Sequence, residues 1–167
     1  MKIRSYFTSA VLPAAFGLVL GELLMTRMFV LFQPVLGAMT FLTVEVVGAF
    51  LIDFPMACLS AFIFAGKQPQ AKPRDGVLTG AAFVTTFLLF IVFMMVLRQF
   101  TNAIDVFGLY ESVSLAARTS REGFGGIFPV MVLTFLAFEY LLCMMAGLVG
   151  FELAGGRISI RNTGGET

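Results

Sequence analysis

Four acids, Glu22, Glu45, Asp53 and Glu139, fall inside long apolar runs of this chain. A charged Asp near the centre of a membrane-spanning helix costs about 2.5–3.5 kcal/mol on insertion scales, so each such group must face a bundle interior, water or a partner. Counted from the ends of the apolar runs, Glu22, Asp53 and Glu139 land near a common mid-depth on three different helices, with Glu45 nearer the outer half. No base matches them at that level. Arg27, the nearest, is about 7.5 Å beyond Glu22 and roughly 140° round the helix. Arg27 and Arg98 lie at outer helix ends, from which both can snorkel to headgroups. Several close carboxylates in a low dielectric cannot all be ionised without a cation. They can share protons as a relay, or hold a hard cation through oxygen ligands. A third reading is structural, in which a protonated carboxyl hydrogen-bonds across a helix interface as glue worth about 0.6 kcal/mol on average.

Asp53 has the most informative neighbours. Ala49, Asp53, Ala57, Ala61 and Ala65 recur at four-residue spacing, a stripe that another backbone can approach. Pro55 is a candidate kink, because it has no N–H for the carbonyl of Leu51. A freed carbonyl within a turn of a carboxylate is a candidate oxygen-ligand pair, although a neighbouring helix or water can satisfy it equally well. Glu139, Cys143, Ala146 and Gly150 make a comparable stripe further along, while Glu152 and Glu45 are nearer helix ends, where solvation explains them.

The elements that must position these acids are spanning helices. The 167 residues are 59% hydrophobic and 13% charged, against about 45–50% apolar and about 25% charged for a soluble domain. Four apolar blocks, about 11–32, 35–65, 77–97 and 127–153, each approach the ~20 residues needed to cross hydrocarbon. The expected fold is a single all-α domain over 1–167, a four-helix bundle in a lipid bilayer. The basic start followed by a long apolar run reads as a retained signal anchor. In the first span Gly17 and Gly21 form a G-x-x-x-G pair suited to close helix packing. Gln33, Pro34 and Gly37 predict the reversal, after which a run of about 31 residues exceeds a ~30 Å core and must tilt or kink. The third span, apolar all round apart from threonines, is expected to be the most lipid-exposed. Between spans three and four, the spacing of Val106, Phe107, Tyr110, Val113 and Ala117 predicts a short interfacial helix. The match of Phe41–Glu45 to Phe135–Glu139 suggests two parallel hairpin repeats.

Lysine and arginine placement predicts the orientation. Lys2, Arg4, Lys67, Lys72, Arg74, Arg157 and Arg161 gather on one side, so both termini of a multi-pass protein of the inner (cytoplasmic) membrane are expected in the cytoplasm. A net charge of +1 without a basic face argues against nucleic acid. Cys58 and Cys143 lie in apolar blocks as small packing residues. With no histidine, no cofactor is indicated, and any metal site would rest mainly on oxygen ligands.

The stretch from Gly21 to Lys67, with GELLMTRM and VGAFLIDFPMACLSAFI, resembles a family of small bacterial inner-membrane hairpins whose second helix carries a Phe-Pro-Ala-type segment, here Phe54-Pro55-Met56-Ala57. The resemblance implies a membrane hairpin and no particular activity. These features favour a small transport or permeation protein in which Asp53, Glu139, Glu22 and Glu45 handle protons or a cation. The alternative is a non-catalytic membrane subunit or scaffold. An enzyme is not expected, because no activated nucleophile or base can be assembled. Gly17, Gly21, Ala49, Ala57, Ala61 and Gly150 are the expected packing positions, and their number favours a homo-oligomer or a partner within the membrane.

Overall fold

The computed structural model describes residues 2–68, 70–100 and 118–163, apart from the side chains of 2, 22, 95, 97–100 and 156–163. Helix α1 (Lys2–Leu36) reverses through a 3-10 turn at Gly37–Met39 into α2 (Thr40–Gly48). A π-helical turn, Ala49–Asp53, joins α2 to α3 (Phe54–Lys67). Helix α4 (Pro73–Phe100) follows, then α5, described over 118–124, a 3-10 turn at Gly125–Ile127 and α6 (Phe128–Thr163). No strand occurs among the described residues. Three stretches are long and apolar enough to cross a membrane, Ile3–Lys67, Pro73–Met94 and Arg118–Gly155. The predicted interfacial helix over 98–126 lies largely outside the described residues.

The reversals rest on two glycines. Gly37 (φ 51°) and Gly125 (φ 55°) take the left-handed backbone that a Cβ disfavours, and each starts a 3-10 turn. Of the predicted reversal residues Gln33, Pro34 and Gly37, it is Gly37 that makes the turn: Pro34 lies inside the last turn of α1, and the α-helix of the second leg begins at Thr40 rather than at 35. The leg from Thr40 to Lys67, with 9, 5 and 14 residues in its three parts, is still roughly 42 Å long and exceeds a ~30 Å core, as expected of the run over 35–65. Gly125 follows Gly37 by 88 residues, whereas Glu139 follows Glu45 by 94, so the Phe-Leu-x-x-Glu match does not fall at equivalent helical turns. Pro55 stands in the first turn of α3, where its missing N–H is tolerated, and the backbone adjusts just before it, with the Phe54 N–H reaching back to the carbonyl of Ala49.

Helices α1, α3, α4 and α6 pack as a bundle, with α6 against both α3 and α4. The contacts there are backbone to backbone. A Cβ on Gly80 would strike the carbonyl of Cys143, one on Gly147 the carbonyl of Gly76, and one on Gly150 the carbonyl of Cys58. Helices approach this closely only where small residues face each other. The expectation that the third span is the most lipid-exposed is corrected by this packing. Helix α4 is the most enclosed of the three apolar stretches and α6 the least, because Gly76, Thr79, Gly80 and Phe83 all turn inward. A Cβ on Gly17 would come within 3.3 Å of the Met56 side chain, whereas one on Gly21 would meet nothing within 4 Å, so the close approach expected of that pair falls on Gly17 alone.

At the end of the bundle that holds the first residues of α1, Asp75 closes the start of α4. Its Oδ2 accepts the Lys72 N–H at 2.8 Å and its Oδ1 accepts the Tyr6 hydroxyl at 2.6 Å, tying α1 to the loop before α4. This is half of a capping box, with the acid at the third helical position reaching back to the N-cap.

Gly80→Ala and Gly150→Ala are expected to destabilise the bundle by about 1–3 kcal/mol or more, as overpacking does. Gly21→Ala is expected to leave it unchanged, and thermal unfolding in detergent compares all three.

Candidate functional site

Six contacts set the heights of the helices. Helices α2–α3 and α6 run parallel, in step at Phe41/Phe128 (ring centroids 5.8 Å), at Phe50/Phe138 (5.9 Å) and at Cys58, whose Sγ donates to the carbonyl of Ala146 at 3.0 Å. That register puts Glu139 within one helical turn of Asp53 in height. Gly17 of α1 faces Ile52 and Met56, which flank Asp53. On α4, the approach of Gly80 to Cys143 and the hydrogen bond between the Thr85 hydroxyl and Tyr140 at 3.0 Å bring Thr86 to the height of Glu139. One layer of the bundle thus holds Gly17, Asp53, Thr86 and Glu139.

Asp53 is 8% exposed and Glu139 5%, and they lie within Coulomb range of each other. Glu45 lies within range of both, half-buried and about 12 Å further along its helix leg, eight residues from Asp53. Cys143, fully buried, lies within Coulomb range of Asp53, Glu139 and Cys58. Glu22 stands five residues beyond Gly17, about 7.5 Å from the layer; its side chain lies outside the described residues. Ala49, Ala57, Ala61 and Ala65 are buried on the face that carries Asp53, and Gly150 is buried against Cys58.

The two acids differ from every other buried polar side chain described. Ser9, Thr40, Ser60, Thr79, Thr86 and Ser120 each donate to a backbone carbonyl, and Asp75 accepts from Tyr6 and Lys72. Asp53 and Glu139 have neither a hydrogen-bond nor an ion-pair partner among the described residues. Their cost of burial is therefore uncompensated by a fixed protein group. Among the described residues, no group of three or more acids and cysteines is placed to hold a metal ion. Both cysteines are free thiols.

Sequence reasoning missed Asp75, Tyr6 and the glycines of α4. A signal for the first existed, since Lys72-Pro73-Arg74-Asp75 places Pro at the first helical position and an acid at the third. Comparison of the chain with protein-family models, with curated proteins and with solved structures finds no match.

If Asp53 were packing glue, Asp53→Asn would lose a bond and lower stability. Having no partner to lose, the variant is instead expected to unfold within about 1 kcal/mol of wild type or above it, as read by thermal unfolding in detergent.

Proposed function

We propose that this chain is a four-span protein of the inner membrane that conducts or couples protons through the bundle by way of Asp53 and Glu139, with Glu45 and Glu22 on the outer side. The observation that carries the reading is the pair itself. Two carboxyls on facing helices, buried at one height and without fixed partners among the described residues, are groups that can exchange a proton between them, and intramembrane acids without a structural partner are functional candidates. Among the described residues no third acid or cysteine groups with them as a metal site would need, which favours a proton over a divalent cation. Four spans follow from the turn at Gly37, which folds the Ile3–Lys67 stretch into two antiparallel legs. Arg4, Lys67, Lys72 and Arg74 are exposed around the end that carries Tyr6 and Asp75, which the positive-inside rule assigns to the cytoplasm. The likeness of residues 21–67 to an inner-membrane hairpin family bears on location and not on what is moved.

A non-catalytic subunit is the rival reading. It draws on α6, the least enclosed apolar stretch, where Leu133, Leu141, Met145 and Leu153 are exposed. Lipid covers such a face as readily as a partner or a second copy does.

Liposomes containing the purified protein and a pH-sensitive dye inside decide between them. Under an imposed potential the wild type is expected to pass protons, and Asp53→Asn or Glu139→Gln to lower the flux at least tenfold. A wild type that conducts nothing, or two variants that match it, would falsify the transport reading.

A further inference from the structure

The bundle is packed differently on the two sides of the Asp53–Glu139 layer. Towards the Tyr6–Asp75 end its inward-facing stripes are closed. Ala146 and Gly150 on α6, Gly76 and Gly80 on α4 and Ala10 and Pro13 on α1 are all buried there, and Ser60 and Thr79 have no accessible surface. Followed past the layer at the same three- and four-residue spacing, each stripe loosens. Leu136 and Val132 on α6, like Phe90 and Met94 on α4, are only half-buried, and from Phe87 outward α4 buries none of its described side chains. On α1 a Cβ at Gly21 would meet nothing within 4 Å, and Leu24, one turn on, is 47% exposed. Outward-facing residues are exposed in both halves, Leu12 and Leu148 as well as Leu31 and Leu133, so the difference lies in the inward faces. The α1–α2 hairpin stays closed on itself around Phe29 and Val44 and keeps its hold on α6 at Phe41/Phe128, which leaves the outer half of α4 as the side on which the helices part.

Glu45 lies in the loosened half. It is half-buried, stands as many residues from the turn at Gly37 as from Asp53, and is within Coulomb range of both Asp53 and Glu139. Like them it has no fixed partner among the described residues. From this asymmetry we infer that the structure is the form of the site open to the Gly37–Gly125 end, in which Asp53 and Glu139 exchange protons with that end by way of Glu45 and are closed to the Tyr6–Asp75 end. The inference rests on the proton-conducting reading of the pair and adds its side and its entry group. A proton given up by the Glu45 carboxyl is taken by Glu139 or Asp53, and Glu45 takes another from the outer side. Exchange at the opposite end requires the backbone contacts of α6 with α3 and α4 to part, since those contacts leave no space at Gly80, Gly147 and Gly150. One half closed and the other loose around a fixed site is the arrangement from which access can alternate.

The test labels single-cysteine additions to the full chain with a membrane-impermeant sulfonated maleimide, in membrane vesicles of either orientation, against the wild-type background of Cys58 and Cys143. Gln70→Cys, in the exposed loop before α4, marks the Tyr6–Asp75 end. Glu45→Cys is expected to react at least tenfold faster from the side opposite to Gln70→Cys, and Ser60→Cys to stay at background from both sides. Glu45→Cys that reacts from the Gln70 side, or from neither, overturns the outer opening, and labelling of Ser60→Cys overturns the closed inner half. Should Ser60→Cys fail to assemble, as read by size-exclusion chromatography, Ala61→Cys takes its place with the same two outcomes. In liposomes with the internal dye, Glu45→Gln is expected to lower proton flux at least fivefold, and Glu152→Gln, an exposed acid beside Phe151 at the other end, to leave it unchanged. Flux that is lost in Asp53→Asn yet unchanged in Glu45→Gln overturns the entry group and leaves the carboxyl reading standing. A wild type without flux overturns both readings together, whatever the labelling.

Discussion

The contact on which the rest of this structure depends is the backbone approach of α6 to α3 and α4. Between helices in lipid there is no hydrophobic driving force, because lipid tails are as apolar as leucine, so association rests on close packing and on the few polar bonds that packing allows. Gly76 and Gly80 on one side of α6, and the Cys58 backbone on the other, meet Gly147, Cys143 and Gly150 with no space for a Cβ at the glycines. Such a contact has a steep cost for slipping. A shift of one residue rotates a helix by about 100° and moves it 1.5 Å, turning a side chain into the space where a carbonyl now lies. The fixed register is what places carboxyls from two helices, and a threonine from a third, in one layer.

The π-helical turn serves the same layer from within one leg. An α-helix advances 400° over four residues, so a stripe at strict four-residue spacing drifts by about 40° at each step. From Ala49 to Ala65 that drift would carry one end of the stripe off the interface. The wider turn at Ala49–Asp53 undershoots where the α-helix overshoots, and Ala49, Asp53, Ala57, Ala61 and Ala65 all remain buried. It also absorbs the backbone bond that Pro55 cannot make. Asp53 is the last residue of this turn, and π turns of this kind recur at functional sites.

Much of this was legible in the sequence wherever one helix carries the information. The alanine face, the common level of Asp53 and Glu139 and the gathering of both hairpin ends with the basic residues follow from spacing and composition. What one helix cannot carry is its partner. Gly76 reads as the end of a polar loop until α6 is brought against it, and Gly80 is a single small residue in a helix apolar on every side, so periodicity says nothing about which face turns inward. Tyr6 and Asp75 are 69 residues apart, and only the fold makes them a pair. Of the three residues that predict the reversal, Gln33 and Pro34 stay helical, and Gly37 supplies the left-handed backbone that a reversal needs.

The satisfied polar groups give the two acids their meaning. This bundle buries serine and threonine hydroxyls on α1, α2, α3, α4 and α5, and each of those described has a carbonyl to bond. It also buries one carboxylate, Asp75, with two donors on it. A fold that meets the needs of its polar side chains this consistently leaves Asp53 and Glu139 without partners among the described residues, while packing alanine, glycine and cysteine around them. For stability alone, an apolar residue would serve better at either position, since an unpaired buried polar group costs what a paired one recovers. Residues that break a local rule without a structural return are where function is to be sought. Here the return is a site whose acceptor oxygens are not committed to a fixed donor, and that is the property a group needs if it is to take up a proton and release it again.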